Sequence, residues 1–175
     1  TVTNLTATAD ADGMFIAEAD AIVIGSITVI ANRVGADATT ATGSTSKTQE
    51  DLQTNSNGAI ILTATGITIN GGDAGAGLTA TGSGNVLLEA SSGNLDINAD
   101  IDGGTGHISL LASLGTLTQD ADVITTSTAS IDVEASAITM NDAKSTSAGS
   151  GNIRYKATNA LTIGDISTSG DVSLL

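Results

Sequence analysis

The chain has 175 residues and a formal net charge of -14, a surplus of acidic groups that disfavours nucleic acid and anionic membranes as partners. Aromatic residues make up only 1% and cysteine and proline are absent, which excludes a core of large rings and a disulfide framework. No apolar run reaches the roughly 18 residues of a membrane span, so we expect no membrane insertion. Hydrophobic residues nevertheless make up 40%, which is too apolar for a disordered chain. The sequence therefore predicts a thin, regular core of small side chains.

The first predicted elements alternate apolar and polar residues, as half-buried strands do. The segment GMFIAEA, which begins at Gly13, is expected to point Phe15, Ala17 and Ala19 inward, and a second strand follows at Ile22 and Ile24. The segment GSITVIA has the same pattern but begins only 12 residues later, at Gly25. We expect one of these two segments to be a different strand of the same structural unit.

A polar stretch follows from residue 36 to residue 57 and contains TTATGSTSKTQEDLQTNSN. It lacks an apolar period, so we predict a polar loop that protrudes from the scaffold over 36–57. Loops that leave a rigid scaffold commonly carry recognition.

The rest of the chain repeats one heptad of the form small-x-apolar-x-apolar-x-Ala, with Ala64 as the first of its closing alanines. The heptads begin 26, 22, 23, 22 and 19 residues apart, at Gly58, Gly84, Gly106, Ala129, Gly151 and Gly170. Within each heptad the apolar positions have the period of two that a strand with one buried face requires. The alanine at the seventh position indicates a tight corner.

Two further short strands follow each heptad: an apolar one, such as Ile67 with Ile69, and one rich in Ser and Thr. Three short strands in about 20–26 residues form one coil of a parallel β-helix, because such strands are buried only by stacking on the next coil. We therefore predict an all-β fold in which residues 1–175 form a single solenoid of about eight coils. The crossover rule for parallel strands predicts a right-handed coil.

The heptad GNIRYKA contains two of the five basic residues and the only tyrosine. The pattern points Tyr155 inward, where its hydroxyl needs a hydrogen-bond partner. Arg154 and Lys156 point outward, one coil beyond Asp132 and Glu134. We therefore predict two ion pairs between coils, Arg154 with Asp132 and Lys156 with Glu134, rather than a binding site.

Catalysis is not expected, because the chain has one histidine, His107 at an outward position, and no cysteine. A carbohydrate-active β-helix enzyme, a polysaccharide lyase or hydrolase, is the alternative. It needs clustered carboxylates, and the candidates are Asp96, Asp100, Asp102, Asp120 and Asp122. With Phe15 and Tyr155 both predicted inward, no aromatic side chain is left to stack on a sugar ring. We predict no catalytic, cofactor-binding or metal-binding residues.

Calcium is the cofactor that the sequence leaves open. The segment DIDGGTGHISLL, which begins at Asp100, partly matches a calcium-binding repeat, but Ile108 occupies the position of the ligand aspartate. Asp and Asn in the loops could still bind an ion, although both residues also favour turns for conformational reasons.

Pairs of threonines raise a third possibility, an ice- or mineral-binding solenoid. The pairs are Thr79 with Thr81 and Thr126 with Thr128. A binding array needs the same pair in coil after coil, and the corresponding positions change to serine at Ser145 and Ser167. The simpler explanation is that Ser and Thr suit the face of a sheet.

The heptads from Gly13 onward, with the Thr-, Ser-, Gly- and Asn-rich turns between them, resemble the repeat regions of filamentous-haemagglutinin-like exoproteins and related giant bacterial surface adhesins. The resemblance implies a right-handed β-helical shaft, a location at the cell surface or outside the cell, and an adhesive or scaffold role. We therefore expect a non-enzymatic structural shaft or filament module whose loops contact a host or surface ligand. Both chain ends lie within the strand pattern, so we also expect self-association or continuation into a longer solenoid.

Overall fold

The computed structural model describes residues 2–72 and 75–175, and for 40–47 it describes the backbone only. The described residues form twenty β-strands and no α-helix. No described segment is therefore a helix that could cross a membrane. The strands pair in parallel between successive coils, which confirms the predicted all-β, parallel β-helical fold.

The strands stack into three columns, each of which forms one side of the solenoid. Column one consists of β3 (Met14–Ala17), β8 (Ile60–Ala64), β11 (Val86–Ala90), the first parts of β14 (Ile108–Gln119), β16 (Ile131–Met140) and β18 (Ile153–Thr162), and β20 (Val172–Leu174). Column two consists of β1 (Asn4–Leu5), β4 (Ile22–Ile24), β9 (Ile67–Ile69), β12 (Leu95–Ile97) and the second parts of β14, β16 and β18. Column three consists of β2 (Ala7–Ala9), β7 (Leu52–Thr54), β10 (Ala76–Ala80), β13 (Asp100–Asp102), β15 (Val123–Thr125), β17 (Ser145–Ala148) and β19 (Asp165–Thr168).

Each column has seven rungs, so the solenoid makes about seven turns and not the eight expected from the sequence. Neighbouring rungs lie about 4.8 Å apart, which gives about 29 Å between the first and last rung of a column. The difference of one coil arises because residues 27–49, a length of chain equal to about one coil, form no rung of the solenoid.

The interior of the solenoid is a stack of mainly aliphatic side chains. Leu62, Leu88 and Leu110 occupy the same inward position of column one in consecutive coils, and all three are fully buried. Burial of one such side chain contributes about 1.5–3 kcal/mol. The closing alanines, such as Ala64 and Ala90, are also buried, as predicted for the corner that joins column one to column two.

The first heptad is shifted by one residue relative to the prediction. Met14, not Phe15, lies opposite Ile60, and Phe15 is 70% exposed. Gly13 consequently lies opposite Ala59, and not opposite Gly58 as the alignment of the heptads predicts. Gly13 has a φ of 74°, and a side chain there would collide with the backbone of Ala59. Because side chains alternate, a shift of one residue exchanges the inward and outward sets. The prediction that Phe15, Ala17 and Ala19 point inward is therefore wrong.

The segment after Gly25 leaves the solenoid as a β-hairpin, which we call the arm. Its strands are β5 (Ile27–Val34) and β6 (Thr40–Gln49), which pair with each other in antiparallel orientation. The arm is inserted between β4 of column two and β7 of column three, and the Asp51 amide donates to the Gly25 carbonyl at its base. GSITVIA is therefore not another strand of a coil, contrary to the prediction.

The predicted polar loop over 36–57 differs from the structure in extent and in order. The protruding element begins earlier, at Ile27, and its second strand ends at Gln49. Leu52 and Thr54 then return to the interior of the solenoid, where both are fully buried.

Candidate functional site

The heptad GNIRYKA divides between the surface and the interior, as predicted. Arg154 lies opposite Asp132 and Lys156 opposite Glu134 in the neighbouring coil. The Arg154 guanidinium donates two hydrogen bonds to the Asp132 carboxylate, from Nε at 2.7 Å and from a terminal nitrogen at 2.8 Å. The Lys156 ammonium donates to Glu134 at 2.9 Å. The hydrogen bond and the charge of Asp132 raise the pKa of Arg154. Both predicted ion pairs are confirmed, so these basic groups are engaged in coil stacking.

Tyr155 belongs to a polar layer inside the solenoid, which is formed by Tyr155, Gln119 and Thr146. The side chains come from columns one, two and three respectively, and all are fully buried. The Tyr155 hydroxyl donates to Gln119 Oε1 at 2.8 Å and lies 2.5 Å from Thr146 Oγ1. Gln119 Nε2 donates to Thr146 Oγ1 at 3.0 Å and to the carbonyl oxygens of Ala121 and Ser145. Among the described residues, no buried side-chain polar atom lacks a partner. The layer is therefore saturated and offers no free group to a ligand.

Two of the aspartates considered for an enzyme stack directly on each other. The Asp122 amide donates to Asp100 Oδ1 at 2.9 Å, and the Ser145 amide donates to Asp122 Oδ1 at 2.8 Å. Each carboxylate thus accepts a hydrogen bond from the backbone of the following coil. This ladder joins coils at the start of column three.

The remaining aspartate candidates lie elsewhere on the coil. Asp96 lies in column two opposite Thr68 and Thr118, Asp120 directly follows column two, and Asp102 lies in column three. Within the part of the chain that the structure describes, no three His, Cys, Asp or Glu side chains form a group that could hold a metal ion. The structure therefore does not bring the five candidates together as a catalytic carboxylate cluster.

His107 and the calcium-like segment around it have structural contacts. His107 is exposed, and its Nδ1 accepts a hydrogen bond from the Ser130 amide at 3.0 Å and contacts Ser130 Oγ at 2.8 Å. Asp102 Oδ1 accepts from the Gly104 amide at 2.8 Å, and Ile108 points into the core. These contacts close the corner between columns three and one and join one coil to the next.

The threonine pairs considered for an ice- or mineral-binding array do not repeat from coil to coil. A different set of outward residues, all but one of them threonines, does repeat. The Thr81 and Thr126 hydroxyls donate to backbone carbonyls at the corners of the coil, at 2.9 Å and 2.7 Å. In column two, by contrast, outward residues of consecutive coils share one register. We call this set the threonine file: Thr68, Asp96, Thr118, Thr139 and Thr162.

Two apolar surfaces on the outside of the solenoid and its arm were not predicted. The arm exposes Val29 and Ile30 at 60% and 68%. On the outer face of column one, the exposed Phe15 lies in register with the half-buried Ile61 and Leu87 across three coils. We call these three side chains the stripe. The alternation of inward and outward side chains predicts the stripe only when Met14, and not Phe15, is aligned with Ile60.

Comparison of the chain with protein-family models, with curated proteins and with solved structures gives no match. The fold and the contacts of this chain therefore carry the functional argument.

Proposed function

We propose that this chain is a structural shaft module of an extracellular bacterial surface protein or filament, with an adhesive or scaffold role. One observation carries the proposal: seven rungs stack on each of three columns around a mainly aliphatic core. Such a solenoid provides length and stiffness, because each coil is held by its neighbours through parallel backbone hydrogen bonds and buried side chains.

The polar contacts of the coils support the same role. The ion pair of Arg154 with Asp132 and the backbone ladder through Asp100 and Asp122 connect neighbouring coils. Asn85 and Asn94 also accept hydrogen bonds from amides of the next coil, at 2.9 Å and 3.0 Å. These carboxylate, guanidinium and amide groups are thus engaged in ion pairs and hydrogen bonds between coils. The resemblance to filamentous-haemagglutinin-like repeats is consistent with export to the cell surface.

Limited proteolysis with trypsin tests the shaft. At a concentration at which the chain is monomeric, we expect rapid cleavage after Arg33 in the exposed arm. We expect protection of Arg154 and Lys156, because they lie in β18, which pairs with β16 on one side and with β20 on the other. Mass spectrometry of the fragments identifies the sites. Cleavage at Arg154 as early as at Arg33 would contradict a stiff, cooperatively stacked shaft.

The cellular location needs a separate experiment on the source cells. Antibodies against the chain should label intact cells or detect the protein in the medium, and brief protease treatment of intact cells should remove the label. Labelling that requires permeabilised cells would contradict an extracellular role and leave the shaft architecture untouched.

The threonine file supports a second candidate function, binding of ice or of a mineral surface. Thr118, Thr139 and Thr162 repeat at the spacing of the coils, about 4.8 Å, on one face. Thermal hysteresis of the purified chain tests the ice version, with Thr139→Val as the substitution that retains the shape of the file. Absence of hysteresis in the unaltered chain would rule out the ice version.

A further inference from the structure

The side chains of the arm that the structure describes, those of residues 27–39, 48 and 49, form no core of their own. Val29 and Ile30 are neighbours on one strand, so their side chains point to opposite faces of the hairpin, and both are exposed. Val34 near the tip is 68% exposed as well. A two-stranded hairpin without a buried face is only marginally stable in water. Apolar side chains on both faces therefore favour an arm that packs against another surface.

The charge of the arm differs in sign from that of the solenoid. Residues 27–49 contain Arg33 and Lys47 against a single acidic residue, Asp37, which gives the arm a charge of +1 and leaves -15 for the rest of the chain. Arg33 forms no ion pair with any side chain that the structure describes. Opposite charges on two surfaces of one chain favour contact between copies.

The stripe provides an apolar surface of matching size. Phe15, Ile61 and Leu87 span about 10 Å across three coils, and the arm from Ile30 to Arg33 also spans about 10 Å. Phe15 is exposed and Ile61 and Leu87 are half-buried, so the three together present a contiguous apolar surface of the kind that marks interaction sites. Glu89 lies two residues after Leu87 on the same outer face, is half-buried, and forms no ion pair with a described residue.

The arm does not leave the coil beside the stripe of its own chain, and Gln49 at its base contacts Thr8 of column three. It leaves the coil at the corner between columns two and three, and in a three-sided coil that corner lies across from column one. We propose that the arm of one copy docks on the stripe of a second copy, with Ile30 against Phe15 and Leu87 and with Arg33 beside Glu89. The register of β5 shifts between Ala31 and Arg33, so strict alternation does not place Ile30 and Arg33 on opposite faces. This lateral association is independent of the proposed shaft function, and it leaves the ends of the solenoid free.

Sedimentation velocity of the 175-residue chain over a wide concentration range tests the contact. We expect reversible association that Ile30→Ser and Phe15→Ser each weaken by at least about tenfold, since each removes a side chain from an apolar contact. Leu114→Ser is the matched control, because Leu114 is 74% exposed and lies outside both surfaces. Far-UV circular dichroism checks that each variant remains folded.

Charge reversal tests the orientation. Arg33→Glu and Glu89→Arg should each weaken association, and an equimolar mixture of the two variants should restore it, because one arm and one stripe then carry opposite charges again. A chain that stays monomeric at all concentrations would overturn the proposal. Association that neither Ile30→Ser nor Phe15→Ser changes would also overturn it, since the contact would then lie elsewhere, as in end-to-end stacking. Binding of the monomer to phosphatidylcholine vesicles through Ile30 would assign the arm to a lipid surface instead.

Discussion

The polar layer inside the solenoid makes a quantitative prediction for Tyr155→Phe. The substitution removes only a hydroxyl, from a side chain that is fully buried, so the packing of the ring is unchanged. Two hydrogen bonds are lost, to Gln119 and to Thr146. Neither partner is left without a contact, because Gln119 Nε2 still donates to Thr146 Oγ1, and Thr146 Oγ1 can donate to Gln119 Oε1 at 3.4 Å. We therefore expect the free energy of unfolding to fall by about 1–2 kcal/mol, the net value of one to two hydrogen bonds.

Gln119→Leu should cost more than Tyr155→Phe. It removes the donor to the Ala121 and Ser145 carbonyls and leaves the Tyr155 hydroxyl with Thr146 alone. Each buried polar group that loses its partner costs about 1–3 kcal/mol, so we expect a loss of about 3 kcal/mol. A leucine suits this position by shape, since the corresponding residues in other coils are aliphatic, Ile97 and Met140.

Urea unfolding followed by far-UV circular dichroism measures both losses, and Thr146→Val completes a double-mutant cycle with Tyr155→Phe. The two substitutions share one hydrogen bond, so their combined effect should be smaller than the sum of the separate effects. Equal stability of Tyr155→Phe and the unaltered chain, or strict additivity with Thr146→Val, would refute a buried hydrogen-bonded layer.

Three further predictions concern the ionisation of Tyr155, the aliphatic core and the ion pairs between coils. Burial raises the pKa of Tyr155 above its ordinary value of about 10, so as the pH rises the tyrosine ionises in the unfolded chain before it ionises in the folded chain. The free energy of unfolding should therefore fall above about pH 10. Urea unfolding at a series of pH values should show a fall that is steeper than in Tyr155→Phe by up to about 1.4 kcal/mol per pH unit. Leu110→Ala should cost about 2–5 kcal/mol in the same assay because Leu110 is fully buried, whereas Leu114→Ala, on the surface, should change stability by less than about 0.5 kcal/mol. Arg154→Ala should lower the melting temperature slightly in low salt and by less in high salt, since half-exposed ion pairs are screened; an effect that salt does not change would contradict the pair with Asp132.

The repeated heptads were sufficient to predict the coil and part of its register from the sequence. A period of two identifies the inward side chains, and a repeat of 22 residues places Arg154 beside Asp132 without any structure. Stacking in a solenoid is a contact between equivalent positions, so a local pattern that repeats also predicts long-range neighbours. The inward position of Tyr155 followed from the same alignment.

The features that were missed are those that the repeat does not determine. Met14, Phe15 and Ile16 are three consecutive apolar residues, so alternation alone allows either register. The arm strand β5 alternates like a strand of the solenoid, and a period of two does not reveal whether the partner is the next coil or a hairpin. The partners of Tyr155 come from other columns, at Gln119 and Thr146, where no repeat relates the positions.

The most direct test of the coil is a disulfide between positions that only stacking brings together. The chain has no cysteine, so Thr118→Cys with Thr139→Cys introduces a single possible bond. The two residues face each other in consecutive coils, about 4.8 Å apart, within the range for a disulfide. Under mild oxidation we expect this pair to crosslink within the folded monomer. Thr118→Cys with Asn141→Cys, two residues out of register, should remain reduced. Crosslinking of the second pair and not of the first would contradict the coil register on which the shaft depends.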